Sequence, residues 1–496
     1  MPNRSSRFYL LAPSLILASA ACAVAPSSEG ADGTPSTTTA DALRSSCKIK
    51  CKNPVECGLA PVVSNLRQYA NPTGIHATYA NDDRDHLDLQ NPFFKSLGTN
   101  GRACVSCHTP GDGWSVTPSN LKQRFEDSCG TDPIFRTVDG SNSPTADVST
   151  LAQKKQTYSL LLNKGLIRIE RPIPANAEFE LVSVDDPYGN STANGISLFR
   201  RPLPATNLKF LNLIMFDGRE PDLRTQALNA TLGHAEGAAP SSATLDEIVA
   251  FETSLFTSQV KDNDTGSTSA AGGKGSPVDL SKETFTFNGN PVQFLPPGTP
   301  PDNLSTFSAP PVNQDVFTLY SAWSSTANSD SRAEKRASVE RGEHLFNHKF
   351  FQIDTIPGLG PLQANCSTCH LSGNTGGSDQ NRLANRAGVH TVLTDVHTHS
   401  DANRRTADLP LYTFRVKATG EKFQNTDPGA AMVTGKVDDM GAFRSAPLRG
   451  LAARAPYFHN GAFATLRAVV DFYEEKFAMG LTEGEKQDLT QFLQQL

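Results

Sequence analysis

Long apolar runs and blocks of basic residues are both missing from this chain of 496 residues. A membrane-spanning helix needs about 20 consecutive apolar residues. The apolar core at 8–17 is too short, and no later stretch approaches that length. With no Lys/Arg block and a net charge of −6, nucleic-acid binding is disfavoured. Tryptophan is nearly absent, with Trp114 and Trp323 alone, and histidine is scarce, with none between His108 and His234.

What is present at the start is a targeting pattern. Arg4 and Arg7 form a basic region, Phe8 to Leu17 an apolar core, and Ala18, Ser19, Ala20 and Ala21 a small-residue site. Residues 1–25 are therefore expected to be a signal peptide, which places the mature protein in the periplasm or cell envelope. Cys22 is the alternative, as a lipidated N-terminus that would anchor the chain. Residues 26–45, rich in Ser, Thr, Gly and Ala, read as a flexible tether.

Two pentapeptides then carry the chemistry: Cys104-Val105-Ser106-Cys107-His108 and Cys366-Ser367-Thr368-Cys369-His370. Both are C-x-x-C-H, the attachment pattern of haem c. The two thiols form thioethers to the porphyrin vinyl groups, and the next imidazole reaches the iron. The competing reading is half a zinc site, which needs a second ligand pair close in sequence. Neither motif has one nearby, although His397 and His399 lie some way after the second. Two covalent haems in an exported chain are the expectation, and the low aromatic content fits a core completed by a large apolar cofactor. Of nine cysteines, Cys47, Cys51, Cys57 and Cys129 remain after the haem thiols and Cys22. In an oxidising compartment an even set predicts two disulfides of undetermined pairing.

The pattern predicts two haem units that form a weak internal repeat, a small β-hairpin insertion in the first, and long irregular loops. A Cys-stapled leader covers 46–84, the first haem domain 85–260, a linker or loop 261–331, and the second haem domain 332–496. Helices are expected over 151–165, from about Leu223, over 244–256, from about Arg332 to Leu345, and over 483–496, where apolar residues recur at helical spacing. Leu166 to Ile169 and Phe179 to Val184 read as the two strands of the hairpin. Residues 258–315 are rich in Gly, Ser, Pro, Asp and Asn, as a linker would be.

Near the C-terminus, Arg444-Ser445-Ala446-Pro447-Leu448-Arg449-Gly450 precedes Ala455-Pro456-Tyr457-Phe458-His459-Asn460-Gly461. With Phe216-Asp217-Gly218-Arg219 between the two C-x-x-C-H motifs, the chain resembles the bacterial di-haem cytochrome c peroxidase family and its MauG-like branch. The resemblance covers about 85–260 and 336–496. It implies a mainly α fold of two cytochrome c-like haem domains, and that hydrogen peroxide is reduced at the His108 haem, with electrons entering through the His370 haem from a small cytochrome c or a cupredoxin. It further implies a sixth ligand on the second iron at Tyr473, the MauG-like choice, with Met479, His397 or His399 as alternatives. At the first iron Arg124 stands where the peroxidases have a closing His, so that iron is expected to be open unless His76, His86 or His234 folds over it. Counting from Asp217 puts Arg224 at the position of the distal base, which an arginine cannot be; Glu220 and His234 are the nearby substitutes. The inter-haem Trp of the family has no evident counterpart, and Trp114 is expected to pack on the haem. A calcium ion between the haems would use the carbonyls of Arg454 and Pro456. His459 would lie near the second haem, and Arg444 and Arg449 would pair with propionates. Two other functions compete: an oxygenase or protein-side-chain oxidase using ferryl chemistry, and an electron carrier without catalysis.

Overall fold

Helix ends in this chain are set by local chemistry. In the computed structural model, which describes residues 62–192, 195–211, 214–283, 286–287, 290–291, 315–324, 331–353, 362–370, 407–441 and 443–496, Thr117 caps α1 (Pro118–Ser128). Its side chain accepts from the Asn120 amide, and Pro118 sits at the first turn, where its missing N–H costs nothing. The expected helix over 151–165 is two short ones, α2 (Leu151–Thr157) and α3 (Ser159–Lys164), ending on Gly165 at φ 68°. Downstream come α4 (Leu223–Gly233), α5 (Ser242–Ser254), α6 (Ala333–His348), α7 (Leu466–Phe477) and α8 (Glu483–Gln495). Each sits within a few residues of its expected place where one was expected. Among the described residues no helix is long and apolar enough to cross a membrane.

The sheets depart from expectation. β1 (Gln68–Asn71) and β2 (Gly74–Ala80) lie in the segment read as an irregular leader, and β2 pairs antiparallel with β6 (Leu255–Asp262). β6 enters the presumed linker. Its Thr257, Ser258 and Gln259 are buried, and the short helix Pro277–Lys282 follows. A strand covered on both faces has no alternation of apolar and polar residues to betray it.

β3 (Ile167–Arg171) and β4 (Phe179–Asp185) form where expected but do not pair with each other. β3 pairs with β5 (Ile196–Arg200), and β4 pairs with β7 (Leu411–Val416), which continues to β8 (Lys422–Asn425). Pro172 and Pro174 explain the failure: both lack an amide donor, and the connection is too long for a tight hairpin. A satellite core of Phe179, Ile196, Leu198, Tyr412, Phe414 and Met432 closes this sheet. The second main core gathers Phe317, Tyr320, Trp323, Phe346, Phe492 and neighbours around α6 and α8. Cys129 is disulfide-bonded; Cys47, Cys51 and Cys57 lie outside the described residues, as do residues 1–45 with Cys22, and His397 and His399.

Candidate functional site

Each C-x-x-C-H motif opens onto its own cavity. The first holds about 1370 Å³ of space, part of it open to solvent, and Cys104, Cys107 and His108 line it. The second holds about 1490 Å³, with Cys366 and His370 in its wall. The backbone of Cys366–Cys369 is a helical turn, with the His370 amide bonded to the Cys366 carbonyl at 3.0 Å.

His108 is prepared as a ligand. Its Nδ1 donates to the Trp114 carbonyl at 3.0 Å, and burial lowers its pKa to about 4. A neutral imidazole with its proton on Nδ1 has its lone pair on Nε2, the atom needed by an iron. Trp114 serves through this carbonyl. Its ring packs on Phe93 and Phe251, bonds Thr78 Oγ1 at 2.7 Å, and does not line the first cavity. Arg124 steadies the same loop, donating to the Ser106 carbonyl at 2.9 Å while gripping Asp132 with two nitrogens. Among the described residues no three His, Cys, Asp or Glu side chains gather as a metal site, which disfavours the zinc reading for the first motif.

Of the residues considered for proton transfer, one reaches the first cavity. His234 lines it, with Nδ1 2.5 Å from Asp139 Oδ2; Asp139 is also paired with the buried Arg102. Arg224 points to solvent, bonded to Asp246 and Ser242, and Glu220 is buried against Asn229 Nδ2 at 2.9 Å. Neither lines the cavity, so neither is placed to act there. The cause is helical phase. α4 shows the cavity Leu223, Gln226, Ala227, Ala230 and Thr231, a run at i, i+3, i+4, i+7 and i+8, and Arg224 falls off that stripe. His76 is buried against the Pro110 carbonyl and His86 is paired with Asp85 at the surface, so neither caps this site.

Two cavity residues escaped the sequence reading. Gln226 brings an amide. Glu252, on α5, is fully desolvated; its Oε2 has no hydrogen-bond partner, and burial raises its carboxyl to about 8. Its helical phase marks it in the sequence, seven residues after Leu245 and four after Ile248 on the buried face of α5.

The second cavity is aromatic: Phe346, Phe351, Phe443, Phe458, Phe477 and Tyr457 are in its wall. α7 brings Tyr473 to it, the ring stacked on Phe477 at 5.9 Å, and Met479 just past the helix also lines it. His459 stacks on Phe443 at 3.8 Å and meets Phe216 edge-on at 6.2 Å; burial and the nearby Arg200 hold it neutral. Trp323 stands away, packed on Tyr320 and bonded to the Ala270 carbonyl.

The two cavities share a wall. Arg201, Pro202, Leu203, Pro204, Phe216, Arg444 and Pro447 line both. The Phe-Asp-Gly-Arg turn is pinned there, because Asp217 takes Arg200 Nη1 at 2.6 Å and Arg219 Nη1 at 2.9 Å, and Arg200 also grips Asp427. These guanidinium neighbours hold the Asp217 carboxyl far below the usual range. Among the described residues Arg201 and Arg454 bond backbone carbonyls alone, and Arg449 turns to the Gly275 carbonyl without lining either cavity. Buried cations bonded to neutral oxygens suit anionic groups arriving from the cavities, as the carboxylates of two haems would. Thiols, a prepared imidazole and cationic walls fit haem c at the first cavity, and the same wall with Cys366 and His370 fits the second.

No protein-family model matches the chain. It is 39% identical over 83 residues to a cytochrome-c peroxidase, IdrP1, of Pseudomonas sp. (strain SCT), a match covering 14% of this chain and 22% of that one. It is 35% identical over 88 residues to IdrP1 of Denitromonas iodatirespirans, covering 16% and 23%. The chain thus spans about a fifth of the length of these curated relatives. Among solved structures, a MauG-like protein associated with microbial copper homeostasis aligns over 87% of this chain and 94% of its own, at 15% identity and a TM-score of 0.34. The sequence matches and the paired attachment motifs support the expected likeness to the bacterial di-haem cytochrome c peroxidase family and its MauG-like branch.

Proposed function

We propose that the protein is a periplasmic di-haem oxidoreductase that reduces hydrogen peroxide at the first cavity with electrons received through the second. The reaction consumes two electrons and two protons per peroxide and yields two waters. Bound haem c supplies the redox-active iron at each site. The observation that carries the reading is the shared wall: two attachment motifs face cavities separated by one layer of residues, and titratable side chains gather at the first cavity.

His108 would hold an iron through Nε2, with the Trp114 carbonyl fixing the tautomer. His234, oriented by Asp139, takes and returns the proton that peroxide cleavage requires. Arg102 keeps Asp139 ionised. Pro202, Leu203, Pro204 and Phe216 keep water out of the passage between sites. Arg201, Arg444 and Arg454 receive the porphyrin carboxylates. Electrons come from a small cytochrome c or cupredoxin docking on the second half, and calcium is not assigned a part. Tyr473, in the wall of the second cavity, would offer its phenolate to the second iron.

The test is spectroscopic and kinetic. Resting ferric holoprotein should give one high-spin and one low-spin EPR signal, with stoichiometric peroxide bleaching the high-spin one. Steady-state oxidation of a reduced small cytochrome should follow. Two low-spin signals indifferent to peroxide would leave a plain electron carrier.

A further inference from the structure

Arg201 leaves β5 and turns its guanidinium into the protein, where the residue is 6% exposed. Nη1 donates to the Lys164 carbonyl at 2.6 Å; Nη2 donates to the carbonyls of Val116 at 2.7 Å and Arg454 at 3.1 Å. One cation thus ties three remote segments. Space is kept for it, because a Cβ on Gly165, itself at φ +68°, would stand 2.5 Å from Arg201 Nη1. Arg454 repeats the arrangement beside it, donating to the carbonyls of Gly450, Pro447 and Arg449 at 3.1, 2.8 and 2.8 Å. Among the described residues no carboxylate bonds either guanidinium. Burial, with the Arg454 charge beside it, brings Arg201 down to about 10, and burial brings Arg454 down to about 10, so both stay charged at neutral pH.

The family resemblance implies a calcium ion in this wall, held by the Arg454 and Pro456 carbonyls. The residues do not fit it. Calcium takes 6–8 oxygens at about 2.3–2.6 Å, carboxylates among them. Here the Arg454 carbonyl already accepts from a guanidinium, and a dication at that oxygen would sit within a few ångströms of a fixed charge in a poorly screened interior. Asp112, the carboxylate that Arg201 senses, is engaged by Thr109, Thr117 and Asn120.

We propose that Arg201 and Arg454 together are the resident cation of the wall, two fixed single charges in place of one divalent metal, and that the protein neither binds nor needs calcium there. The pair is built with the chain, so the inter-cavity geometry is independent of calcium supply.

The test uses the full-length holoprotein and leaves peroxide turnover aside. Elemental analysis after dialysis, with thermal unfolding in CaCl2 and in EGTA, should show less than a tenth of an equivalent of calcium and superimposable melting curves. One tightly held calcium per chain, with melting lowered by EGTA, overturns the proposal. Arg201→Ala frees three carbonyls, and the folded variant should gain a melting temperature that rises with added CaCl2. A folded variant indifferent to calcium would mean that the guanidinium does not occupy a cation site. If the variant does not fold, the wild-type metal content and melting curves decide alone.

Discussion

The two cavities hold the same cofactor motif in opposite surroundings. The first is walled by groups that carry or hold protons: Lys95, Arg102, Asp139, Arg219, His234 and Glu252. The second is walled by rings, with few titratable groups beyond Tyr457, Tyr473, His459 and the arginines of the shared wall. A site that reduces peroxide must deliver protons with electrons, whereas a relay works best where its change of charge calls for little rearrangement. The contrast supports the proposed division, with chemistry at the first cavity and the relay at the second.

The sharpest way to break that contrast is His108→Gly. Peroxide turnover should fall to background while the spectrum of the second haem persists; loss of the second spectrum instead would invert the assignment. His234→Gln removes the proposed base at the first cavity and should lower turnover by about 10²-fold, checked by steady-state kinetics. A drop of less than threefold would return the proton to another group, Glu252 first.

Asp217→Ala leaves Arg200 and Arg219 short of their shared carboxylate, and should cost about 3–5 kcal/mol, measured by denaturant unfolding of holoprotein. Glu252 gives a pH signature. Its folded value of about 8 lies above the 4.5 of an exposed glutamate. The unfolded chain therefore loses this proton first, so the stabilising contribution is complete below about pH 4.5 and is lost as pH rises to about 8. Glu252→Gln should flatten that part of the stability profile, and an unchanged slope would exclude this carboxyl. The smallest effects belong to the second cavity. Tyr473→Phe should alter only the low-spin spectrum, while Met479→Leu, a volume-conserving swap, should cost under about 1.5 kcal/mol and leave the spectrum alone. The reverse outcome would make Met479 the ligand.

Helices announced themselves because one face of each is apolar at a spacing no strand reproduces; α5, with Leu245, Ile248 and Phe251 inward, is the clearest. Both attachment motifs were legible because covalent chemistry demands fixed residues at fixed spacing. Position within a helix was not. Counting from Asp217 reached Arg224, but the face turned to the cavity passes through Gln226, about 200° round the helix axis. β2 and β6 were hidden by being covered on both sides, and β4 by pairing with a strand more than 220 residues away. Arg201 was invisible for a related reason: what sets it apart is the surroundings that burial imposes, and its neighbours in sequence carry no trace of those. Glu252 was missed although its spacing from Leu245 and Ile248 puts it on the buried face of α5.

The pairing of β4 with β7 bears on how the chain can be divided. β4 belongs to the stretch between the two attachment motifs and β7 to the stretch after the second, and Arg200 reaches Asp427 across the same seam. A fragment ending before residue 407 would expose the edge of β4 and strand a buried guanidinium without its second carboxylate. Swapping one haem-bearing half for that of a relative would therefore succeed only if the segment 411–427 travelled with its partner strand.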